Sequence, residues 1–325
     1  MAPAAAAAVV LAAAVIWFAT RPAPTFVPAA GTVARIEDGR FDEPVRLASF
    51  PTGMTVGEGR IWVTDQRGQI YWFDPSSGES GSRGSDGVPT GIAAGGGAVW
   101  VTNGFGVSGG PLGGVSRLAP ATSALTPAFD TPVGSEAIAW GADQLWVADS
   151  DTGTISVFDT VTGQADQIEL PESGGRTPEP VTITFDPSES GALWIGDGGA
   201  GNVYRLDPFD TGRIQAFPVD GVVSAIGVGA DNVWVVHALD DTVTLLDRST
   251  GSVRTTVDAG SMGCNGPVSI APTTDAVWVA CSLSGNVIRI DPGTLRAEGS
   301  LAVDGAPAVL TTDGAGAVWV AVRSS

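Results

Sequence analysis

Two apolar patterns divide this chain. From Ala4 to Thr20 the residues are almost all apolar and none is charged; Pro3 stands just ahead of the run and Arg21 ends it. Beyond residue 31 the apolar residues come in short runs separated by Gly, Pro, Asp and Asn, which predicts strands joined by turns. Seven of those runs are built on one tripeptide: Ile61-Trp62-Val63, Val99-Trp100-Val101, Leu145-Trp146-Val147, Leu193-Trp194-Ile195, Val233-Trp234-Val235, Val277-Trp278-Val279 and Val318-Trp319-Val320. Their tryptophans stand 38 to 48 residues apart. Three residues ahead of each comes Gly or Asp (Gly59, Gly97, Asp143, Gly191, Asp231, Asp275, Gly316). Both residue types tolerate the left-handed backbone of a tight hairpin.

A further strand begins shortly after most of these tryptophans, with its own signature. Gly68-Gln69-Ile70 leads to Phe73-Asp74-Pro75, Gly201-Asn202-Val203 to Leu206-Asp207-Pro208, and Gly285-Asn286-Val287 to Ile290-Asp291-Pro292. One short strand follows each, and one opened by Pro or Gly precedes each tryptophan. Four strands at a period near forty residues make a propeller blade. The seventh tripeptide lacks its second half, because the chain stops at Ser325. Gly31-Thr32-Val33-Ala34-Arg35-Ile36-Glu37 supplies a matching half at the other end. The expectation is therefore an all-β, seven-bladed β-propeller over residues 31–325, its closing blade shared between N- and C-terminal strands. In that fold each tryptophan is a wedge between blades rather than part of a ligand cage.

The apolar run adds an anchor. Its ~17 residues would span ~26 Å as a helix, close to the thickness of a bilayer's hydrocarbon core. Residues 1–21 are expected to be a transmembrane anchor and residues 22–30 a linker. A cleaved signal is the alternative, although Phe18-Ala19-Thr20 is a poor cleavage site and Val27-Pro28-Ala29 lies far downstream. Arg21 by itself favours the cytoplasmic side, whereas the cysteines favour export. The expected location is the cell membrane, single-pass, with a monomeric propeller outside the cytoplasm, or secretion if the segment is cleaved.

Charge narrows the partners. The net charge is −19, and all 16 basic residues are arginine. An acidic surface without a basic stripe argues against nucleic acid, and the absence of lysine excludes a Walker-type phosphate loop and Schiff-base chemistry. Cys264 and Cys281 are the only cysteines. Both fall in blade six: one lies in the loop entering its first strand, the other at the end of its second. Antiparallel strands bring both to one face, which predicts a disulfide.

The repeat, Gly-x-x-x-Val-Trp-Val-(Ala/Thr)-(Asn/Asp) followed by Gly-x-Val-x-x-Ile-Asp-Pro-x-(Thr/Ser)-Gly, resembles that of the YVTN and NHL class of bacterial β-propellers. That class includes surface-layer-type propellers, sensor propellers attached to membrane kinases and, more distantly, streptogramin (virginiamycin B) lyases. The resemblance covers residues 31–325 and is specific for fold rather than activity. In a propeller the loops after the second and fourth strands surround one mouth of the channel. The position three past each tryptophan begins the former loops: Asp65, Asn103, Asp149, Asp197, His237, Cys281 and Val322. Asp and Asn there are turn caps on one reading, and a ring of oxygen ligands for a cation or polar substrate on the other. The candidate ligand-binding set is Asp65, Asn103, Phe105, Asp149, Asp197 and His237. Phe105 belongs to the long Asn103–Gly114 insertion, a candidate lid whose matches to a dinucleotide fingerprint and a nucleophile elbow lack the required helix.

His237 is the only histidine, so imidazole catalysis could use no other residue. The lyase resemblance implies paired histidines and glutamates around magnesium, and carries over to His237 alone. No metal ligands are assigned and no cofactor is required, a divalent cation staying open. Two functions follow. One is a binding or sensing module for a small molecule, glycan, peptide or protein on the loop-rich face. The other is a lyase or hydrolase with its site at the channel mouth near His237.

Overall fold

The computed structural model describes residues 25–106, 113–132, 134–188, 191–313 and 316–324, with the backbone alone at 105 and 106. The apolar run at 4–20 and the centre of the proposed lid, 107–112, lie outside the described residues. Among those described, the only helical turn is the 3-10 turn Gly260–Met262, and no helix is long and apolar enough to cross a membrane.

Everything else is seven antiparallel sheets. From the axis outward, blade one is Pro51–Gly57, Arg60–Asp65, Gln69–Phe73 and Ser80–Gly84. Blades two to six repeat this order, opening with Gly87–Gly95, Ser135–Gly141, Pro180–Phe185, Ala225–Val228 and Pro267–Pro272. Blade seven is composite. Ala306–Thr312 and Val318–Arg323 form its inner half, and Thr32–Glu37, with Arg40–Phe41 and Val45–Arg46, its outer half. Thr32 pairs with Val322 and Ile36 with Val318, so the two chain ends share one sheet. The chain is docked even before Gly31: Ala30 N–H donates to Asp304 O, Asp304 N–H donates to Pro28 O, and Phe26 packs on the core between blades six and seven.

Each second strand carries its tryptophan into the next blade. Trp62 packs with Ile92, Val99 and Val101 of blade two, Trp194 with Ile226, Val233 and Val235 of blade five, and Trp319 with Met54, Ile61 and Val63 of blade one. All seven are at most 7% exposed, which makes them the wedges the repeat predicted. In blades one to three the indole N–H donates to the carbonyl that ends the inner strand, Gly57, Gly95 or Gly141, at 3.0 Å each. Gly95 is required by this packing, because any Cβ there would run into the Trp140 ring of the next blade. The hairpin residue three before the tryptophan is left-handed at Gly59, Gly97, Asp143, Gly191 and Gly316. Asp231 and Asp275 do not share it, so the expectation holds for five blades and fails for two.

Candidate functional site

Antiparallel order sends the loops after the second and fourth strands to one face of the ring and the first-to-second and third-to-fourth turns to the other. The residue three past the tryptophan ends the second strand on the loop-rich face in blades one, three, four, five and six. In blade two the strand runs on past Asn103 to Gly106, so the expected loop does not begin there, and in blade seven it runs one residue past Val322 to Arg323. All of these side chains are buried, and in blades one to six each is bonded within its own blade to the start of the inner strand or the loop entering it.

The partners are specific. Asp65 accepts Phe50 N–H and Arg67 N–H, both at 2.8 Å. Asn103 accepts Ser85 Oγ–H at 2.8 Å and donates to Ser116 Oγ at 3.2 Å. Asp149 accepts the hydroxyls of Ser135 and Ser156. Asp197 Oδ1 accepts the amides of Glu179, Gly199 and Ala200, and its Oδ2 accepts Tyr204 OH at 3.4 Å. In blade six the same link is covalent: Cys281 is disulfide-bonded to Cys264. Blade seven has the apolar Val322, whose side chain can make no such bond and whose backbone carbonyl accepts Gly31 N–H.

His237 follows the same rule. Its Nδ1 lies 3.2 Å from Val222 O and its Nε2 3.0 Å from Thr244 Oγ1. A carbonyl can only accept, so Nδ1 carries the proton and Nε2 accepts from Thr244, whose oxygen can accept in turn from Thr256 at 3.0 Å. Burial holds the imidazole below its usual pKa, against the pull of the Val222 carbonyl and the charges of Asp240 and Asp220. Burial likewise raises the Asp149 carboxyl above its usual range, although two serine hydroxyls pull it down. Burial, with Asp197 beside it, pushes the Tyr204 phenol up to about 12.

The arrangement fixes inner strands, since lone pairs and protons already satisfied inside a blade are costly to divert to a ligand. The residues do not fit the magnesium that the lyase resemblance implies: both nitrogens of the sole imidazole are engaged, Asp197 holds backbone amides and Asp149 holds serine hydroxyls. Among the described residues no group of three or more His, Cys, Asp or Glu is placed to share a cation. The Phe105 side chain lies outside the described residues.

Sequence reasoning missed what is free on this face. A cavity of about 310 Å³ is bounded by the inner strands of blades six, seven and one, lined by Phe50, Thr52, Gln66, Val268, Val309 and Arg323 among others. Arg323 is exposed and makes no ion pair among the described residues. Two leucines, Leu239 and Leu283, stand 80% and 81% exposed in the loops after the second strands of blades five and six. A leucine inside a loop rich in Asp, Ser and Gly was the available signal. Cys264, although in a loop, is fully buried in the cluster that holds Val257, Ala259 and Cys281.

No family model matches the chain, and no curated protein sequence matches it. Solved structures do. A streptogramin B lyase is 19% identical over 84% of this chain and 91% of its own, with a TM-score of 0.71. A catalytically inactive histidine-to-alanine variant of virginiamycin B lyase from Staphylococcus aureus, with quinupristin, is 16% identical over 83% and 94%, TM-score 0.67. The RRP9 WD40 repeats are 12% identical over 92% and 100%, TM-score 0.70. Likeness at such identity, shared with proteins as different as a lyase and WD40 repeats, is a likeness of fold alone, and that fold is the seven-bladed β-propeller.

Proposed function

We propose that this protein is an extracytoplasmic β-propeller, anchored through residues 4–20, that binds or senses a ligand at the loop-rich mouth of its ring. One observation carries the reading: the polar strand ends on that face are bonded within the frame, while the cavity beside them keeps apolar walls, Gln66 and an Arg323 with no ion pair among the described residues. Such a site suits a ligand with an apolar body and one anionic or hydrogen-bond-accepting end. The buried disulfide supports export, because structural disulfides persist outside the reducing cytosol.

Native mass spectrometry of the full-length protein from its own membranes, wild type beside Arg323→Glu, tests this. A species retained by the wild type and lost from the variant is expected. Equal retention in both, or none in either, overturns the site. Location is read separately, by protease accessibility of the propeller in intact cells. The streptogramin B lyase likeness keeps enzymatic turnover as the second reading; it requires His237 to release Val222 or Thr244 when substrate binds.

A further inference from the structure

Blade four departs from the repeat at its third-to-fourth turn. Elsewhere the turn spans Asp74 to Gly78, Asp159 to Gly163 and Asp247 to Gly251; here it runs from Asp207 to Gly212, one residue longer. Asp207 pairs with Asp210, which leaves Pro208 and Phe209 at the apex. Phe209 is 79% exposed, with its Cε2 within van der Waals reach of where a Cβ on Gly191 would stand. The core makes no use of this ring.

Beside it is a crevice of about 310 Å³ between blades four and five, on the side of the ring away from the loop-rich face. Strand alternation puts Arg205 and Asp207 on one sheet face, with Gln215 across from Arg205 and Arg213 two residues before Gln215. Ser249 and Thr250 of blade five form the opposite wall. Arg205 is held in place: it donates to Ser249 O at 2.8 Å and lies 5.6 Å from the centre of the Trp194 ring. Arg248 and Arg254 nearby are committed to Asp186 and Asp247. Arg213 is exposed and has no ion pair among the described residues. In a chain of net charge −19, the crevice lining thus carries two arginines and the carboxylate of Asp207, with Asp210 paired across from Asp207.

We propose that this crevice binds an acidic sugar, one pyranose ring stacked on Phe209 with its carboxylate on Arg213 and Arg205. An arginine fork matches a planar carboxylate, an exposed aromatic face takes the apolar face of a sugar ring, and Gln215, Asp207, Ser249 and Thr250 are of the type that takes hydroxyls.

The test is calorimetric titration of the full-length protein in detergent with a trigalacturonate, its neutral galactose counterpart and a nucleoside monophosphate. Saturable trigalacturonate binding is expected, weakened at least tenfold by Phe209→Ala and by Arg213→Ala separately, with the neutral sugar at least tenfold weaker. Both side chains are exposed, so unchanged melting curves accompany these losses. Arg323→Glu leaves this binding unchanged, which separates it from the loop-rich site. No saturation at millimolar sugar, equal binding of the neutral sugar, preference for the nucleotide, or indifference to both variants overturns the assignment.

Discussion

At the scale of single residues, His237, the candidate for imidazole chemistry in the sequence, is also a tie within its own blade. Its two nitrogens join the loop entering the inner strand of blade five to the hydroxyl ladder of Thr244 and Thr256. Replacing it with alanine leaves Val222 O and Thr244 short of a partner and opens a cavity, a loss of about 2–4 kcal/mol read as a lower urea midpoint. The pH dependence has a definite sign. An unfolded histidine titrates at about 6.5, and burial depresses the folded value. Below about 6.5 the unfolded chain therefore binds the proton and the native one resists it. His237 stabilises fully above that pH, and its contribution is lost as pH falls toward the folded pKa. A His237→Gln variant should show a flatter stability slope between pH 7 and 5 than wild type; equal slopes would show that the imidazole is not held neutral. The position of His237 at a strand end was legible from its spacing to Trp234. Its partners were not, because Val222 and Thr244 belong to other strands and loops whose registers the repeat does not specify.

At the scale of elements, two recurring devices hold the hairpins, and only one was readable. The Ile-Asp-Pro signature closes third-to-fourth turns: Asp74 accepts the amide and hydroxyl of Ser76, and Asp291 accepts the amides of Gly293 and Thr294. Those hydrogen bonds hold the Asp74 carboxyl at about 2 and lower that of Asp291. Local sequence suffices to predict such turns, since donor and acceptor lie two or three residues apart. The other device, the tie from the end of the second strand back to the loop before the inner strand, spans fifteen residues from Asp65 to Phe50 and eighteen from Asp197 to Glu179. The repeat marks Asp65, Asn103, Asp149, Asp197 and His237 as polar positions, but the segment that each one grips is invisible in it. Only blade six disclosed its tie, since two cysteines can be matched by count. With both sulfurs buried, dithiothreitol should leave the native protein unalkylated and label both thiols once it is unfolded. Cys264→Ser with Cys281→Ser should lower unfolding stability by about 3 kcal/mol, the entropic value for a loop of this size. Rapid labelling of the native protein would mean that blade six opens locally.

At the scale of the whole molecule, closure makes stability a property of the ring. Inner strands are linked from blade to blade by side chains: Thr52 donates to Pro89 O at 3.0 Å, Thr90 to Ser135 O at 2.7 Å, and Leu310 N–H to Ser269 Oγ at 3.0 Å. In an open solenoid such neighbour contacts would let a terminal repeat fray alone. Here the strand Val318–Arg323 lies between Ala306–Thr312 and Thr32–Glu37 and joins the two chain ends in one sheet. It also carries Trp319, which packs against blade one. Deleting residues 317–325 therefore bares the edges of two strands, removes the wedge between blades seven and one, and leaves blade one in contact with solvent on its apolar side. The expected result is loss of the single cooperative melting transition across all seven blades, not a small early phase ahead of an unchanged main one. Trp319→Ala keeps the strand and removes the wedge alone, so it should retain one transition while losing about 3–5 kcal/mol. If the deletion melts like wild type, blades one to six are stable without closure, and the ring is held by its neighbour contacts alone.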